Sequence, residues 1–152
     1  MTASIVLADA SHIPALAAGM RQADRDECWA WALHTPEEAL RVSLDASVLA
    51  WTGMLNGEPV CMFGASGAIL AHVASPWLLG TDAVDLIPLT FARMSRVALR
   101  RMAACWPHLA NWTDARHVRS HAWLFWLGFT FGPAQPMGPL GLPFRPFSMG
   151  AA

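Results

Sequence analysis

The sequence has no lysine and few charged residues of any kind. All ten basic residues are arginine, charged residues make up 14% of the chain, and the formal net charge is −1. Ordinary soluble domains contain roughly 25% charged residues. Binding to a nucleic acid backbone needs an excess of positive charge that releases counterions. The composition therefore excludes a general polyanion binder, and we expect no nucleic acid partner.

Cysteine is also scarce. Cys28, Cys61 and Cys105 are odd in number and far apart. Without closely spaced pairs, the sequence predicts neither a disulfide framework nor a zinc ribbon, and we expect three buried apolar thiols. His117 and His121 have the spacing of two zinc ligands on one helix face, but no third or fourth ligand accompanies them. We predict no metal site.

Uninterrupted apolar segments long enough for a membrane helix are missing. The segment 59–81 lacks Asp, Glu and Arg, and its length exceeds the roughly 20 residues that span a bilayer. However, its proline and glycine residues divide it into strand-length pieces, and prolines also interrupt the uncharged segment 123–144. The first residues have no basic segment followed by an apolar run. We therefore expect neither a membrane span nor a signal peptide.

Apolar residues are plentiful, at 55% of 152 residues, and eight of them are tryptophan. This composition excludes intrinsic disorder, and the length suits one domain with a sizeable core. We predict a single domain over residues 1–152. Within it, residues 132–147 form a Gly/Pro-rich C-terminal arm, which is too irregular for a central strand.

Local signals predict alternating strands and helices. Thr35-Pro36-Glu37-Glu38 has the residues of a capping box, Asn56-Gly57 is typical of a tight hairpin, and Gly128 is a typical helix end. The predicted strands are 4–8, 48–55, 58–64, 68–75, 109–113, 129–131 and an edge strand 144–149. The predicted helices begin at Ser11, Arg21 and Thr35 and, later in the chain, cover 85–106 and 116–127, with a turn over 76–82.

This order, together with several motifs, resembles the GNAT (Gcn-five-related N-acetyltransferase) fold. The segment 111–129, N-W-T-D-A-R-H-V-R-S-H-A-W-L-F-W-L-G-F, is similar to that family's strand and helix ending in leucine-glycine-phenylalanine. A closer resemblance is to small GNAT-like proteins of tailed bacteriophages, including the small internal virion protein of short-tailed phages. The segments that carry this second resemblance are 76–81, 106–111, 113–116, 123–129 and 141–144.

The resemblance implies an α/β protein with a single GNAT-like domain. Its central sheet would be mixed and mostly antiparallel, with helices on both faces. An acetyl-CoA enzyme of this fold holds the pyrophosphate on a glycine-rich turn before the central helix. The matching positions are Leu79, Gly80 and Thr81, and His117 occupies the position of the family's asparagine at the start of the last helix. These four residues are the candidate cofactor-binding residues if the cleft is functional.

Other features that the family uses for catalysis are missing from the sequence. Leu124 stands where many members have a tyrosine that protonates the departing thiolate, and the chain contains no tyrosine. Asp82 and Asp85 place negative charge near the pyrophosphate turn, unless one of them caps the helix. The predicted middle strands offer only Glu58, in a turn, as a carboxylate base. We therefore predict no catalytic residue and expect no cofactor.

Two surfaces are candidates for contacts with other molecules. The stripe formed by Arg93, Arg96 and Arg100 is typical of a solvated helix face. The last predicted helix is apolar around most of its girth because of Trp123, Phe125 and Trp126. Core packing explains one side of this helix, and a protein interface could explain the other.

These observations lead to a functional hypothesis with alternatives. We predict a bacteriophage virion or assembly protein with a degenerate acetyl-CoA site. It would act through contacts with other phage virion proteins or with copies of itself, rather than as an enzyme. It would be made in the host bacterial cytoplasm and located in the virion. One alternative is an N-acetyltransferase that binds acetyl-CoA at an atypical site. Another is a modifier of a host protein.

Overall fold

The computed structural model describes residues 1–150, so the last two residues of the predicted domain lie outside the described part. Its helices are α1 (Ile13–Gly19), α2 (Gln22–Ala32), α3 (Pro36–Ala46), α4 (Pro88–Cys105) and α5 (Val118–Leu127). Its strands are β1 (Ala3–Leu7), β2 (Ser47–Leu55), β3 (Glu58–Ser66), β4 (Val73–Gly80), β5 (His108–Asp114), β6 (Thr130–Phe131), β7 (Gln135–Met137) and β8 (Leu142–Gly150). Short 3-10 turns precede α1 and α4.

The eight strands form one sheet in the order β1-β2-β3-β4-β5-β8-β6, with β7 also paired to β8. The β4–β5 pair is parallel and the other pairs are antiparallel. Alternate side chains of β3 supply two cores: Met62 packs with α1 and α3, whereas Phe63 packs with α4 and α5. The structure confirms the predicted fold class, an α/β domain with a mixed, mostly antiparallel sheet between helices.

Local signals fix several element ends as predicted. Thr35 accepts from the Glu38 amide while the Glu38 carboxylate accepts from the Thr35 amide, which completes the capping box of α3. Asn56 and Gly57 both have positive φ, at 52° and 81°, and join β2 to β3 as a tight hairpin. Gly128 ends α5 in the left-handed conformation.

The predicted turn over 76–82 is wrong, because β4 continues through Pro76 to Gly80. The carbonyl oxygen of Pro76 accepts from Asn111 Nδ2, so this residue turns its backbone polar side towards β5. The N–H and C=O of a strand residue point the same way, and the last β4–β5 pair is Ala74 with Leu109. The missing N–H of Pro76 therefore breaks no ladder hydrogen bond.

The predicted strand 144–149 is confirmed as part of β8, but its predicted position at the edge of the sheet is wrong. Strand β8 lies inside the sheet, paired with β5 from His108↔Gly150 to Asp114↔Phe144 and with β6 and β7 on its other side. Pro146 is tolerated because its backbone faces the space between the end of β6 and the start of β7, where its carbonyl accepts from Gly132. Six of the sixteen residues of the predicted arm, 142–147, thus lie in a regular strand.

Two further expectations concern membrane-spanning helices and the burial of the cysteines. No helix formed by residues 1–150 is long and apolar enough to cross a membrane. Cys61 is buried and Cys28 is half-buried, as apolar thiols would be, but Cys105 is exposed. The prediction of three buried thiols is therefore wrong for Cys105, which lies at the C-terminal end of α4.

Candidate functional site

A gap in the sheet separates β4 from β5. The two strands pair only at Val73↔His108 and Ala74↔Leu109, and then diverge. The hydrogen bond from Asn111 Nδ2 to the Pro76 carbonyl, 2.8 Å long, crosses the gap just beyond the last pair. Because β3 holds β4 and β8 holds β5, neither strand can turn to close the opening.

A cavity of about 320 Å³ occupies this gap and is lined by residues from both faces of the sheet. On one face, α2 and α3 contribute Cys28, Trp31 and Val42. On the other face, α4 and α5 contribute Phe91 and Trp123, whose rings stack at 5.5 Å. The cavity thus connects the two faces, so that two molecules entering from opposite faces could meet inside the sheet.

A buried ion pair forms one wall of the cavity. Asp24 on α2 is 2% exposed, and its carboxylate accepts from Arg21 Nε and Nη2 at 2.9–3.2 Å. The Gly80 amide donates to the same carboxylate at 2.9 Å, which joins α2 to the end of β4. The charge and lone pairs of Asp24 are therefore already engaged by protein groups.

Glu27, one turn further along α2, has a different setting. It is half-buried, lines the cavity, and its Oε1 accepts from the Asp114 amide at 2.6 Å. Burial raises the pKa of Glu27 to about 7, and the charges of Asp24 and Asp114 add to this effect against the hydrogen bonds from the Asp114 amide and Thr113. A carboxyl group with this pKa can both accept and release a proton near neutral pH.

His117, just before α5, completes the polar cluster. One ring nitrogen of His117 and one carboxylate oxygen each from Asp24 and Glu27 lie within 4.8 Å of one another. Burial lowers the pKa of His117, so the imidazole is neutral at physiological pH. Its Nε2 is 3.3 Å from the hydroxyl of Ser120, which lines the cavity, whereas its Nδ1 is buried without a partner.

The two cysteines in the cavity wall, Cys28 and Cys61, are disfavoured as nucleophiles, and burial raises the pKa of the Cys61 thiol to about 11. Burial raises the pKa of the Cys28 thiol to about 12, with the charges of Glu27 and Asp24 raising it further. The reactive form of a cysteine is the thiolate. Glu27, His117 and Ser120 are then the candidates for acid–base chemistry at this cluster.

The four cofactor-binding candidates predicted from the sequence lie in the polar cluster or at the end of β4 beside it. Leu79 is buried and lines the cavity, and His117 stands beside Glu27. The Gly80 amide is bound to Asp24, and the Thr81 amide donates to the Val60 carbonyl at 2.9 Å. Contact between these four residues and a cofactor stays a prediction, but the two amides at the glycine turn are already engaged.

The start of α4 offers the free amides that the glycine turn lacks. Ile87 provides no side-chain cap, Pro88 has no N–H, and the first turn contains no acidic residue. The amides of Leu89 and Thr90 therefore have no partner within the helix and lie at the positive end of its dipole. Asp85 does not cap α4 but pairs with Arg119 at 2.6 Å, which neutralises its charge.

These features allow a test of whether the residues fit acetyl-CoA. The gap between β4 and β5 is an open, largely apolar passage suited to a thioester arm, and Leu89 and Thr90 are suited to a diphosphate. The residues present therefore fit this cofactor, and the amides at the start of α4 are better candidates for its diphosphate than the amide of Gly80.

Comparison with known proteins supports the fold. No protein-family model and no curated protein matches the sequence. Among solved structures, an N-acetyltransferase from Staphylococcus aureus Mu50 has a TM-score of 0.73 at 12% identity, covering 99% of both chains. The ribosomal-protein-alanine N-acetyltransferase from Brucella melitensis has a TM-score of 0.69 at 17% identity, covering 97% of this chain and 99% of its own.

A third similar structure, aminoglycoside acetyltransferase AAC(6')-Ib, was solved with coenzyme A. It has a TM-score of 0.67 at 17% identity, over 98% of this chain and 95% of that one. The chain therefore has the GNAT fold. At these identities the likeness establishes the fold and leaves the activity open. It gives no support to a phage origin.

Sequence reasoning missed the central residue of the site. Glu27 stands in the charged run Asp24-Arg25-Asp26-Glu27, which reads as a solvated helix face. The spacing of Asp24 and Glu27 at i, i+3 places both carboxylates on the same side of α2. That spacing was the available signal. By contrast, Glu58, the carboxylate considered from the sequence, is exposed at the start of β3.

Proposed function

We propose that the protein is an N-acyltransferase that moves an acyl group from acetyl-CoA or a related thioester to a primary amine. The observation that carries this proposal is the carboxyl group of Glu27, with its pKa of about 7, in the wall of a cavity that passes through the sheet. The GNAT fold and its acetyltransferase neighbours support the same class of reaction.

Glu27 acts as the general base. A primary amine is protonated in neutral water and must lose a proton before it can attack a carbonyl carbon. The Glu27 carboxylate accepts that proton, and the Asp114 amide fixes the position of its Oε1. When bound, the cofactor supplies a thioester carbonyl as electrophile, and the amides of Leu89 and Thr90 hold its diphosphate.

The departing sulfur needs a proton, and Leu124 has none to give. Ser120 lies one turn earlier on α5, and both residues line the cavity. Its hydroxyl donates a proton to the sulfur and regains one from His117, 3.3 Å away, whose neutral imidazole takes up the proton that Glu27 has removed from the amine. The other proton lost by the ammonium group leaves to solvent. This hydroxyl–imidazole pair takes the role that a tyrosine has in many proteins of this fold.

An assay of thiol release with acetyl-CoA and a panel of amines tests the proposal. The rate at low substrate should rise with pH up to about 7 and then level off, because Glu27 must be ionised. Glu27→Gln should lower kcat/KM by roughly 10²–10⁴-fold, the usual contribution of a general base. Asp26→Asn, the same change at the exposed neighbour, is the matched control.

Two results would overturn the proposal. One is the absence of thiol release with every amine tested; the other is a Glu27→Gln variant as active as Asp26→Asn. Ser120→Ala separates the two proton transfers, since it should lower kcat and leave the ascending pH limb near 7 in place.

A role in phage assembly is a second candidate, favoured by the exposed apolar side chains of α5. Val118 and Phe125 are 71% and 73% exposed, and Trp126 is 47% exposed. Exposed aromatic side chains are typical anchors of protein interfaces. Mass spectrometry of purified phage particles tests this role, because an assembly protein is retained in the particle or bound to its precursors.

A further inference from the structure

The face of the cavity formed by α2 and α3, together with β4, carries two indole rings. Trp31 of α2 is 40% exposed at the mouth, and its ring meets Phe144 edge-on at 5.2 Å. Trp77 of β4 also lines the cavity, and its Nε1 donates to Ser47 at 2.7 Å. With that N–H satisfied, the indole of Trp77 presents an apolar face to the cavity.

Acidic groups are few on the same wall. Among the described residues that line the cavity, Asp24 and Glu27 are the acidic ones. Asp24 is neutralised by Arg21 and holds the Gly80 amide. Glu27 is therefore left as the single carboxylate able to pair with a positively charged ligand, so the cavity compensates one ammonium group and no more.

The size of the cavity limits its ligand further. About 320 Å³ is at the small end of the roughly 300–1,000 Å³ of ligand sites, and part of this space belongs to the thioester arm. A polyamine or an aminosugar would bring several ammonium or hydroxyl groups against Ala32, Ala39 and Val42, which cannot hydrogen-bond them, and this face offers only the side chains of His34 and Ser43 as further neutral polar partners.

We propose that the acceptor is a compact monoamine with an aromatic body, an arylalkylamine, which enters between Trp31 and Trp77 and places its amino group at Glu27. This inference rests on the proposed acyl transfer and adds the class of acceptor. The ring stacks on indole surface, and the ammonium group is attracted to the Glu27 carboxylate and to the indole faces.

Calorimetric titration of the full chain at pH 8, where Glu27 is mostly ionised, tests the inference without any thioester. The probes are 2-phenylethylamine, butylamine and spermidine. 2-Phenylethylamine should bind at least tenfold more tightly than the other two. Equal or tighter binding of butylamine or spermidine, or no binding of 2-phenylethylamine, would overturn the proposal.

Two tryptophans of α2 provide matched variants. Trp31 lines the cavity, whereas Trp29, 50% exposed on the same helix, does not. Trp31→Ala should reduce the preference for 2-phenylethylamine over butylamine by about tenfold, Trp31→Phe should keep most of it, and Trp29→Ala should not change it. An equal loss in Trp29→Ala and Trp31→Ala would contradict the assignment.

One further probe separates a free amine from a peptide terminus with the same chemistry. A tripeptide beginning with phenylalanine also carries an ammonium group beside an aromatic ring. Tighter binding of this tripeptide than of 2-phenylethylamine would overturn the assignment to a free small molecule.

Selective binding without acyl transfer would refute the proposed function alone, whereas transfer without selectivity for the aromatic amine would refute the inference alone.

Discussion

At the scale of single residues, Glu27 and Asp24 are two carboxylates on one helix whose roles differ because their surroundings differ. Asp24 faces a guanidinium and a backbone amide, whereas Glu27 faces the cavity and the Asp114 amide. The ion pair with Arg21 gives Asp24 a structural role, and the negative charge of Asp24 helps to raise the pKa of Glu27. The pKa that suits Glu27 to act as a base near neutral pH thus depends in part on the charge of Asp24.

The raised pKa of Glu27 predicts a pH-dependent cost to stability. The folded-state pKa of about 7 exceeds the ordinary value of 4.5, so folding favours the protonated form. Relative to Glu27→Gln, the wild type should lose stability as the pH rises from 4.5 to about 7, by on the order of 3 kcal/mol, and then remain level. Urea denaturation at several pH values measures this loss. Parallel curves for the two proteins would contradict it, and Asp26→Asn should track the wild type.

Replacement of Asp24 by asparagine should be strongly destabilising. The change leaves Arg21, whose side chain is 18% exposed, without its buried partner, which costs about 3 kcal/mol. It should also lower the pKa of Glu27, because a nearby negative charge is lost. Denaturation and a carboxyl NMR titration measure the two effects. The exposed pair Arg41–Glu37 is the control, since Glu37→Gln should cost less than about 1 kcal/mol.

At the scale of elements, the turn between β7 and β8 positions the end of α2. Gly138 has φ 74°, and a Cβ there would overlap the Ala30 carbonyl oxygen and lie 3.0 Å from that of Trp31. The backbone of Gly138 therefore packs directly against the backbone of α2 next to Trp31, which lines the cavity. The Gly/Pro-rich composition of the predicted arm has a structural reason here, because no residue with a side chain can make this contact without displacing α2.

Two glycine substitutions in this turn separate steric overlap from backbone strain. Gly138 and Gly141 both have positive φ, but nothing lies within 4 Å of a Cβ built on Gly141. Gly141→Ala should cost roughly 1–2 kcal/mol from its conformation alone. Gly138→Ala should cost at least about 2 kcal/mol more, since it must also displace α2. Thermal denaturation measures the stability of both variants. Equal losses of stability would show that α2 moves away from the added Cβ at no cost in free energy.

At the scale of the whole molecule, strand order creates the cavity. Strands β4 and β5 are parallel neighbours joined through α4, and each is held on its outer side by an antiparallel partner. Beyond Ala74 and Leu109, the Asn111–Pro76 hydrogen bond is the described link between them near the start of the gap. The site is therefore a property of the sheet as a whole, since no single element contains it.

Removal of that link should loosen β4. Asn111→Ala should cost about 1 kcal/mol and increase hydrogen exchange of the amides of Leu78 and Leu79, because β4 loses its contact across the gap. Thr130→Ala removes a side-chain hydrogen bond to Ser148 at the far edge of the sheet and is the control. Unchanged exchange in β4 of the Asn111→Ala variant would show that β3 alone holds this strand.

The sequence by itself determined those parts of the fold that short-range chemistry controls. The capping box at Thr35, the positive-φ turn at Asn56-Gly57 and the helix end at Gly128 each depend on residues within a few positions, so they were predictable. Together with the order of strands and helices, they predicted an α/β domain, and the resemblance of the segment 111–129 to a known family implied its GNAT type.

Only the tertiary structure decided where prolines are tolerated and what Glu27 does. Pro76 and Pro146 remain in strands because their nitrogens face gaps between distant partners, which no local pattern reveals. The pKa of Glu27 depends on burial against Asp114, 87 residues away in the chain. The pKa of Glu27 and the tolerance of the two prolines each depend on residues that are distant in the chain. These residues come together only when the protein has folded.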